Sequence, residues 1–189
     1  MKRLFLDVDG VLCDWNKGCH LLHGLPYKDG VWPYKLGPEG WHFYKELGMT
    51  VLQLFKGMDR EFWKNLDWCS DGKKILRICE AKVGRENICL LTDPWKGDGA
   101  TDGRIDWIKQ EMPYYWDHGQ YLIGPCKKAC AHQDAILVDD YEKNIIDWQG
   151  KDGIGLLVPR AYNSEYKIKH VAIEHIEMRL HKITGTSNE

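Results

Sequence analysis

Short apolar segments alternate along this chain with longer segments that repeat apolar residues every three or four positions. The short segments are predicted strands at Leu4–Val8, Ile88–Leu91, Tyr121–Ile123, Ile136–Val138 and Gly155–Val158. Apolar runs of this length are typical of strands buried on both faces of a parallel sheet. The longer segments are predicted helices at Gly72–Val83, Thr101–Met112, Tyr141–Gln149 and Glu165–His181. Strands that alternate with helices indicate an α/β fold with a Rossmann-like, doubly wound parallel sheet and helices on both faces.

The region between residues 14 and 68 breaks this alternation. It contains no convincing buried strand, it is rich in Gly, Pro and aromatic residues, and only Tyr44–Leu47 and Asp59–Asn65 have helical patterns. A connection of this length without structure is rare in a compact domain. We therefore predict that residues 14–68 form a small helical cap inserted after the first strand, and that residues 1–13 and 69–189 form the core domain.

Composition narrows the classes of function. The net charge is −2, with 26 basic and 28 acidic residues among 189, and neither sign forms a long run. This balance argues against stable nucleic-acid binding and against a polybasic membrane surface. No stretch approaches the ~18 apolar residues of a membrane span. The seven cysteines are odd in number and scattered, which fits a reducing cytoplasm better than a disulfide framework. The sequence is compatible with a homodimer.

Acidic residues follow two of the predicted strands. Asp7 and Asp9 come at the end of the first strand, directly before Gly10, and Asp139 and Asp140 follow the fourth. Carboxylates at the end of a buried strand are unfavourable unless they bind a cation or take part in chemistry. Carboxylate oxygens suit a hard cation such as Mg²⁺. Since ligands of such sheets bind at the carboxyl ends of the strands, these acids are expected to share one site.

The two remaining strand ends carry groups that suit a phosphate. Thr92 and Asp93 close the second strand, and Lys127 and Lys128 follow the third. A hydroxyl followed by free backbone N–H groups can hold phosphate oxygens, and a lysine can offset the charge of a phosphate and an attacking carboxylate. Taken singly, a turn before proline and a pair of solvated lysines would explain these residues. Together with the acids they indicate a phosphate site.

The four strand ends resemble the four motifs of the haloacid dehalogenase (HAD) superfamily: DxDG, a Ser or Thr, a Lys, and an acidic pair. The resemblance implies that Asp7 is the nucleophile and Asp9 the general acid/base. It implies that Thr92 binds the phosphate and that Lys127 is the motif lysine, with Lys128 as the alternative.

The same resemblance implies a magnesium centre. Mg²⁺ would be held by Asp7, by the backbone carbonyl of Asp9 and by one residue of the acidic pair. Asp140 is the expected direct ligand, and Asp139 is expected to act through water. The implied reaction is hydrolysis of a phosphate monoester through an aspartyl-phosphate.

The start Asp7-Val8-Asp9-Gly10-Val11-Leu12-Cys13-Asp14-Trp15 is similar to that of the 5′(3′)-deoxyribonucleotidases, and so are Phe62–Leu66 and the run Asp139–Asn144. This closer resemblance implies a nucleoside monophosphate as substrate, with Trp15 stacked on the base. Asp93, which replaces the family's Ser, is the other candidate substrate-binding residue. Residues 19–59 match poorly. The alternatives are a phosphatase for sugar phosphates, one for nucleic-acid ends, or a non-catalytic binding module.

Overall fold

Five parallel strands form a single sheet at the centre of the computed structural model, which describes residues 2–94 and 97–185. The strands are β1 (Arg3–Leu6), β2 (Ile88–Thr92), β3 (Tyr121–Ile123), β4 (Ala135–Asp139) and β5 (Ile154–Leu157). Their order is β3-β2-β1-β4-β5, and every pairing is parallel. The strand order therefore reverses beside β1, and this is the place where such sheets bind their ligands.

The described residues form α-helices and short 3₁₀ helices on both faces of the sheet. The α-helices are α1 (Trp15–Leu22), α2 (Phe43–Glu46), α3 (Val51–Phe55), α4 (Arg60–Lys64), α5 (Gly72–Val83), α6 (Ala100–Glu111), α7 (Pro113–Asp117), α8 (Glu142–Gln149) and α9 (Ala172–Thr184). The 3₁₀ helices lie at Pro38–His42, Arg85–Asn87, Lys127–Cys130 and Tyr166–Val171. The predicted α/β fold with a parallel sheet is confirmed.

Both faces of the sheet are buried because successive residues of β1 point to opposite sides, and Leu4, Phe5 and Leu6 are all apolar and buried. Leu4 and Leu6 lie in the core cluster that also contains residues of α5, α6 and α9. Phe5 lies in the other cluster, where its ring makes an edge contact with Trp148 of α8 at 5.2 Å between centroids. The sheet is therefore held between helices and cannot shift its register without exposing one of these faces.

Two predicted elements differ from the structure by more than one residue at a boundary. Strand β1 ends at Leu6 rather than at Val8, because the chain turns there and the carbonyl of Val8 accepts from the N–H groups of Leu12 and Cys13. The long helix predicted for Glu165–His181 is two elements, the 3₁₀ helix Tyr166–Val171 and α9. The break falls at Val171, the last residue of the 3₁₀ helix, because its φ of −120° and ψ of 28° lie outside the α-helical region.

The segment 14–68 contains α1 to α4 and one 3₁₀ helix, and it has no strand. Its two ends lie side by side, because Asp14 N–H donates to the Asp67 carbonyl at 2.7 Å. Helix α4 packs against α6 so closely that a Cβ at Gly103 would overlap the Arg60 carbonyl oxygen. This contact brings α6 against the segment that we predict as the cap. Among the described residues, helices of the length and apolarity needed to cross a membrane are absent.

Candidate active site

The turn after β1 brings the first pair of acids against the end of β4. Asp7 N–H still donates to the Val138 carbonyl, and its buried carboxylate accepts from Val8 N–H at 2.7 Å. Gly10 has a φ of +76°, and a Cβ there would overlap the Asp140 carboxylate. Only glycine allows both this backbone conformation and this close approach. Asp7 and Asp140, which are remote in sequence, are thereby placed in one site.

Three buried carboxylates form a cluster at this edge of the sheet. Asp7, Asp139 and Asp140 each offer a carboxylate oxygen, and these oxygens lie within 4.8 Å of one another. Lys127 Nζ lies 2.8 Å from Asp7 Oδ1 and 2.7 Å from Asp139 Oδ2. With every carboxyl ionised, one ammonium group leaves two negative charges without compensation. A divalent cation would supply the missing charge, and an all-oxygen donor set suits Mg²⁺.

The protonation of the cluster reflects this imbalance. Burial, together with repulsion from Asp139, raises the pKa of Asp7 well above its usual range and the pKa of Asp140 to about 7. Burial opposes the charge on Lys127, but Asp139 and Asp7 outweigh it and raise the pKa of this lysine. Lys127 therefore stays charged, and a bound cation would favour the ionised form of both acids.

The two residues of the acidic pair have different surroundings. Asp139 is fully engaged: Oδ2 accepts from Lys127 and from Asn144 Nδ2 at 3.0 Å, and Oδ1 accepts from Tyr141 N–H at 2.8 Å. Asp140 Oδ2 accepts from the Tyr162 hydroxyl at 2.5 Å, and its Oδ1 has no hydrogen bond within the described residues. Asp140 therefore has an oxygen to offer a cation, whereas Asp139 holds Lys127 in place.

Lysine 127, and not its neighbour, reaches the acids. Lys127 is buried in the 3₁₀ helix after β3, whereas the Lys128 side chain is 47% exposed and faces Asp147 at 3.7 Å. Of the two lysines considered from the sequence, the structure places only Lys127 in contact with Asp7.

Asp9 occupies a separate electrostatic environment. Its side chain is 22% exposed, Oδ2 accepts from Thr92 Oγ1 at 3.0 Å, and Oδ1 is ion-paired with Nη2 of the fully buried Arg104. The Thr92 hydroxyl, expected to hold a phosphate oxygen, is thus bonded to Asp9. Sequence reasoning missed Arg104, although the sequence contained a signal. Arg104 lies three residues before Trp107 and four before Ile108, and this spacing places it on the buried apolar face of α6.

A cavity of about 560 Å³ opens above these groups. Asp7, Asp9, Lys127 and Asp140 line its polar part. Its apolar wall comes from the segment 14–68 and includes Trp15, Trp41, Tyr44, Leu54, Phe55 and Trp63. Trp15 and Asp93, the two other candidate substrate-binding residues, both line this cavity. The predicted site residues therefore converge on one place, with Thr92 behind Asp9.

Comparison with solved structures finds the same architecture in hydrolases. A predicted phosphatase from Clostridium acetobutylicum is 12% identical with a TM-score of 0.54, over 95% of this chain and 99% of that chain. A HAD family hydrolase from Deinococcus radiodurans R1, solved with bound phosphate and sodium, is 10% identical with a TM-score of 0.50, over 93% and 88%. The chain has a HAD-like fold. Identities this low establish the fold alone. No family model matches the sequence, and no curated protein is similar to it at a significant level.

Proposed function

We propose that this protein is a Mg²⁺-dependent phosphate monoester hydrolase that works through an aspartyl-phosphate on Asp7. One observation carries the proposal: Asp7 lies beside Lys127 and Asp140 on the wall of a cavity that also exposes Asp9. The HAD-like fold, which a predicted phosphatase and a phosphate-bound hydrolase share, agrees with it.

The residues fit a magnesium ion because their carboxylates are in excess over the single lysine. Asp7 and Asp140 would hold Mg²⁺ directly, with the Asp9 carbonyl, and Asp139 would contribute through water. When bound, the ion reduces the repulsion between the Asp7 carboxylate and the phosphate dianion.

The chemistry takes two steps. In the first, a carboxylate oxygen of Asp7 attacks phosphorus, the bond from phosphorus to the leaving oxygen breaks, and Asp9 in its carboxylic acid form gives that oxygen its proton and becomes a carboxylate. In the second, Asp9 takes a proton from a water molecule that attacks the phosphorus. The bond to Asp7 breaks, and inorganic phosphate leaves with Asp7 regenerated. Lys127, charged throughout, stabilises the negative charge that gathers around Asp7.

A nucleoside monophosphate is the substrate that we propose. The cavity combines the phosphate-binding end with several aromatic rings, and Trp41 stacks on Tyr141 at 4.3 Å between centroids. Trp15 is half-buried and packs against Phe43 and Phe55, which leaves part of its indole for a ligand. Flat aromatic surfaces in the same cavity as the proposed phosphate site suit a base better than they suit a small sugar.

Phosphate release from a substrate panel tests the proposal. The panel comprises dUMP, dTMP, 3′-nucleotides and sugar phosphates, each with Mg²⁺ and with EDTA. We expect phosphate release from nucleotides in Mg²⁺ and none in EDTA. Asp7→Asn should be inactive, and the exposed control Asp134→Asn should be fully active. No release from any substrate, or an active Asp7→Asn, would overturn the proposal.

A second variant tests the choice of substrate. Trp15→Ala should raise the KM for nucleotides roughly tenfold, since stacking on a base is worth about 1–3 kcal/mol. The KM for any sugar phosphate that is hydrolysed should stay the same. Trp116→Ala, at an indole that stacks on Tyr121 outside the cavity, is the control and should change neither value. An unchanged nucleotide KM in Trp15→Ala would remove this residue from base recognition.

A further inference from the structure

A buried arginine contacts the carboxylate expected to transfer protons. Arg104 has no exposed surface, and its guanidinium lies between the rings of Trp63 and Trp107, with Cζ 5.4 Å from each centroid. One nitrogen, Nη2, is ion-paired with Asp9 Oδ1. The other two nitrogens, Nε and Nη1, have no hydrogen-bond partner among residues 2–94 and 97–185. Among the described residues, the ion pair of this side chain is thus made with Asp9.

Helix packing does not explain this arrangement. A buried ion pair contributes little net stability, and similar apolar side chains often serve as well or better. Helices α4 and α6 are already in backbone contact at Gly103, and Trp107 Nε1 donates to the Leu66 carbonyl at 2.8 Å. At the surface, Arg60 also forms an ion pair with Asp106. The position of α6 is therefore secured without Arg104.

The contacts of Asp9 show what Arg104 adds. An ionised carboxylate has about four acceptor sites. Arg104 and Cys13 Sγ occupy two on Oδ1, the latter at 3.3 Å, and Thr92 occupies one on Oδ2. The remaining site belongs to a side chain that is 22% exposed and lines the cavity. The fixed partners therefore restrict Asp9 to one orientation and leave one site for exchange of a proton.

We propose that Arg104 is a positioning residue for the general acid/base: it holds Asp9 in the orientation from which it exchanges protons with the leaving oxygen and with the attacking water. The inference rests on the proposed function. The aromatic rings of Trp63 and Trp107 fix the guanidinium, and the guanidinium fixes the carboxylate.

Two substrates separate this role from a structural one. A nucleoside monophosphate releases an alkoxide that needs a proton, whereas p-nitrophenyl phosphate releases a stable phenolate that does not. Methionine is of suitable size to replace Arg104 between the two indoles. In Arg104→Met, kcat for the nucleotide should fall about 10²-fold. With p-nitrophenyl phosphate, formation of the aspartyl-phosphate should stay within a few-fold of wild type. Its hydrolysis, which needs Asp9 as base, should slow, so rapid mixing should show a burst of about one nitrophenolate per enzyme.

Arg60→Met is the matched control, because it removes the ion pair that Arg60 of α4 forms with Asp106 of α6 and does not touch Asp9; it should behave as wild type. Arg104→Lys keeps the charge but lacks the planar fork, so it should restore part of the nucleotide rate. If Arg104→Met does not fold, Arg104→Lys takes its place in the burst experiment.

Equal losses with both substrates and no burst, in a variant with a normal thermal transition, would overturn the inference and leave the proposed function intact. If wild type and Asp7→Asn release the same phosphate, the proposed function fails, and the role of Arg104 fails with it.

Discussion

Replacing Asp140 by Asn should stabilise the protein when no divalent cation is bound, and the gain should grow with pH. Asp140 is buried beside Asp7 and Asp139, and burial together with repulsion from Asp139 raises its pKa to about 7. Asn has the same shape, and its Oδ1 can accept the hydrogen bond that the Tyr162 hydroxyl donates to the carboxylate. The substitution removes the charge and retains the contacts.

The magnitude follows from the pKa shift. A pKa of about 7, against the ordinary value of 3.8, is a difference of about three units, each worth about 1.4 kcal/mol. Because the folded-state pKa is raised, the folded protein binds more protons, so its stability falls as pH rises from about 4 to about 7. Above pH 7 the full loss, roughly 4 kcal/mol, is present. At pH 5 less than about half of it has developed.

Thermal unfolding in EDTA at pH 5 and pH 8 measures this effect. For a chain of this size, about 4 kcal/mol corresponds to a rise in Tm of roughly 8–16 °C at pH 8. Asp134→Asn, an exposed substitution, is the control and should leave the Tm unchanged at both values. A gain that does not increase from pH 5 to pH 8, or a loss at both, would refute the reasoning. It would show that burial does not penalise the charge on Asp140.

Three further expectations concern the same cluster. Lys127→Met should lower the free energy of unfolding, measured in urea, by about 3–5 kcal/mol, because it leaves buried carboxylates unpaired. Lys128→Met should change it by less than about 0.5 kcal/mol. Similar effects of the two substitutions would contradict the assignment of the lysines. Gly10→Ala should abolish the rise in Tm caused by Mg²⁺, since its Cβ would overlap the Asp140 carboxylate, and Gly119→Ala, also at positive φ but in open space, should retain it. That rise should itself be larger at pH 8 than at pH 5, because protons compete with the cation for carboxylates of raised pKa; a pH-independent rise in calorimetry would argue against a carboxylate site.

The sheet could be predicted because its strands are apolar on both faces and short. Phe5 and Leu6 belong to different core clusters, yet both are buried, so the run around them indicates a central parallel strand without any knowledge of its partners. The proximity of Asp7 to Asp140 could also be predicted, because the carboxyl ends of parallel strands lie at one edge of the sheet.

Features that depend on long-range packing were beyond this reasoning. The ion pair of Arg104 with Asp9 joins residues 95 positions apart, and it requires α6 to lie against the turn after β1. The Thr92 hydroxyl also bonds to a distant residue, because its partner Asp9 lies in the turn after β1 and not in its own strand. The resemblance favoured Lys127 over Lys128, but which of the two contacts Asp7 depends on the burial of Lys127 in the 3₁₀ helix after β3.

Asp7 and Asp9 are two residues apart, but their surroundings suit them to different tasks. Asp7 shares one lysine with Asp139 and lies beside Asp140, so its cluster is negative and calls for a cation. Asp9 has its own arginine, so its charge is already compensated, and only part of it is open to the cavity. A divalent ion would therefore be drawn to the Asp7 side, where attack on phosphorus is proposed. Asp9 stays outside the charge imbalance and keeps an acceptor site for the proton. The proposed division into nucleophile and acid/base rests on which cation each carboxylate meets, and Arg104 is the cation that the sequence motifs do not include.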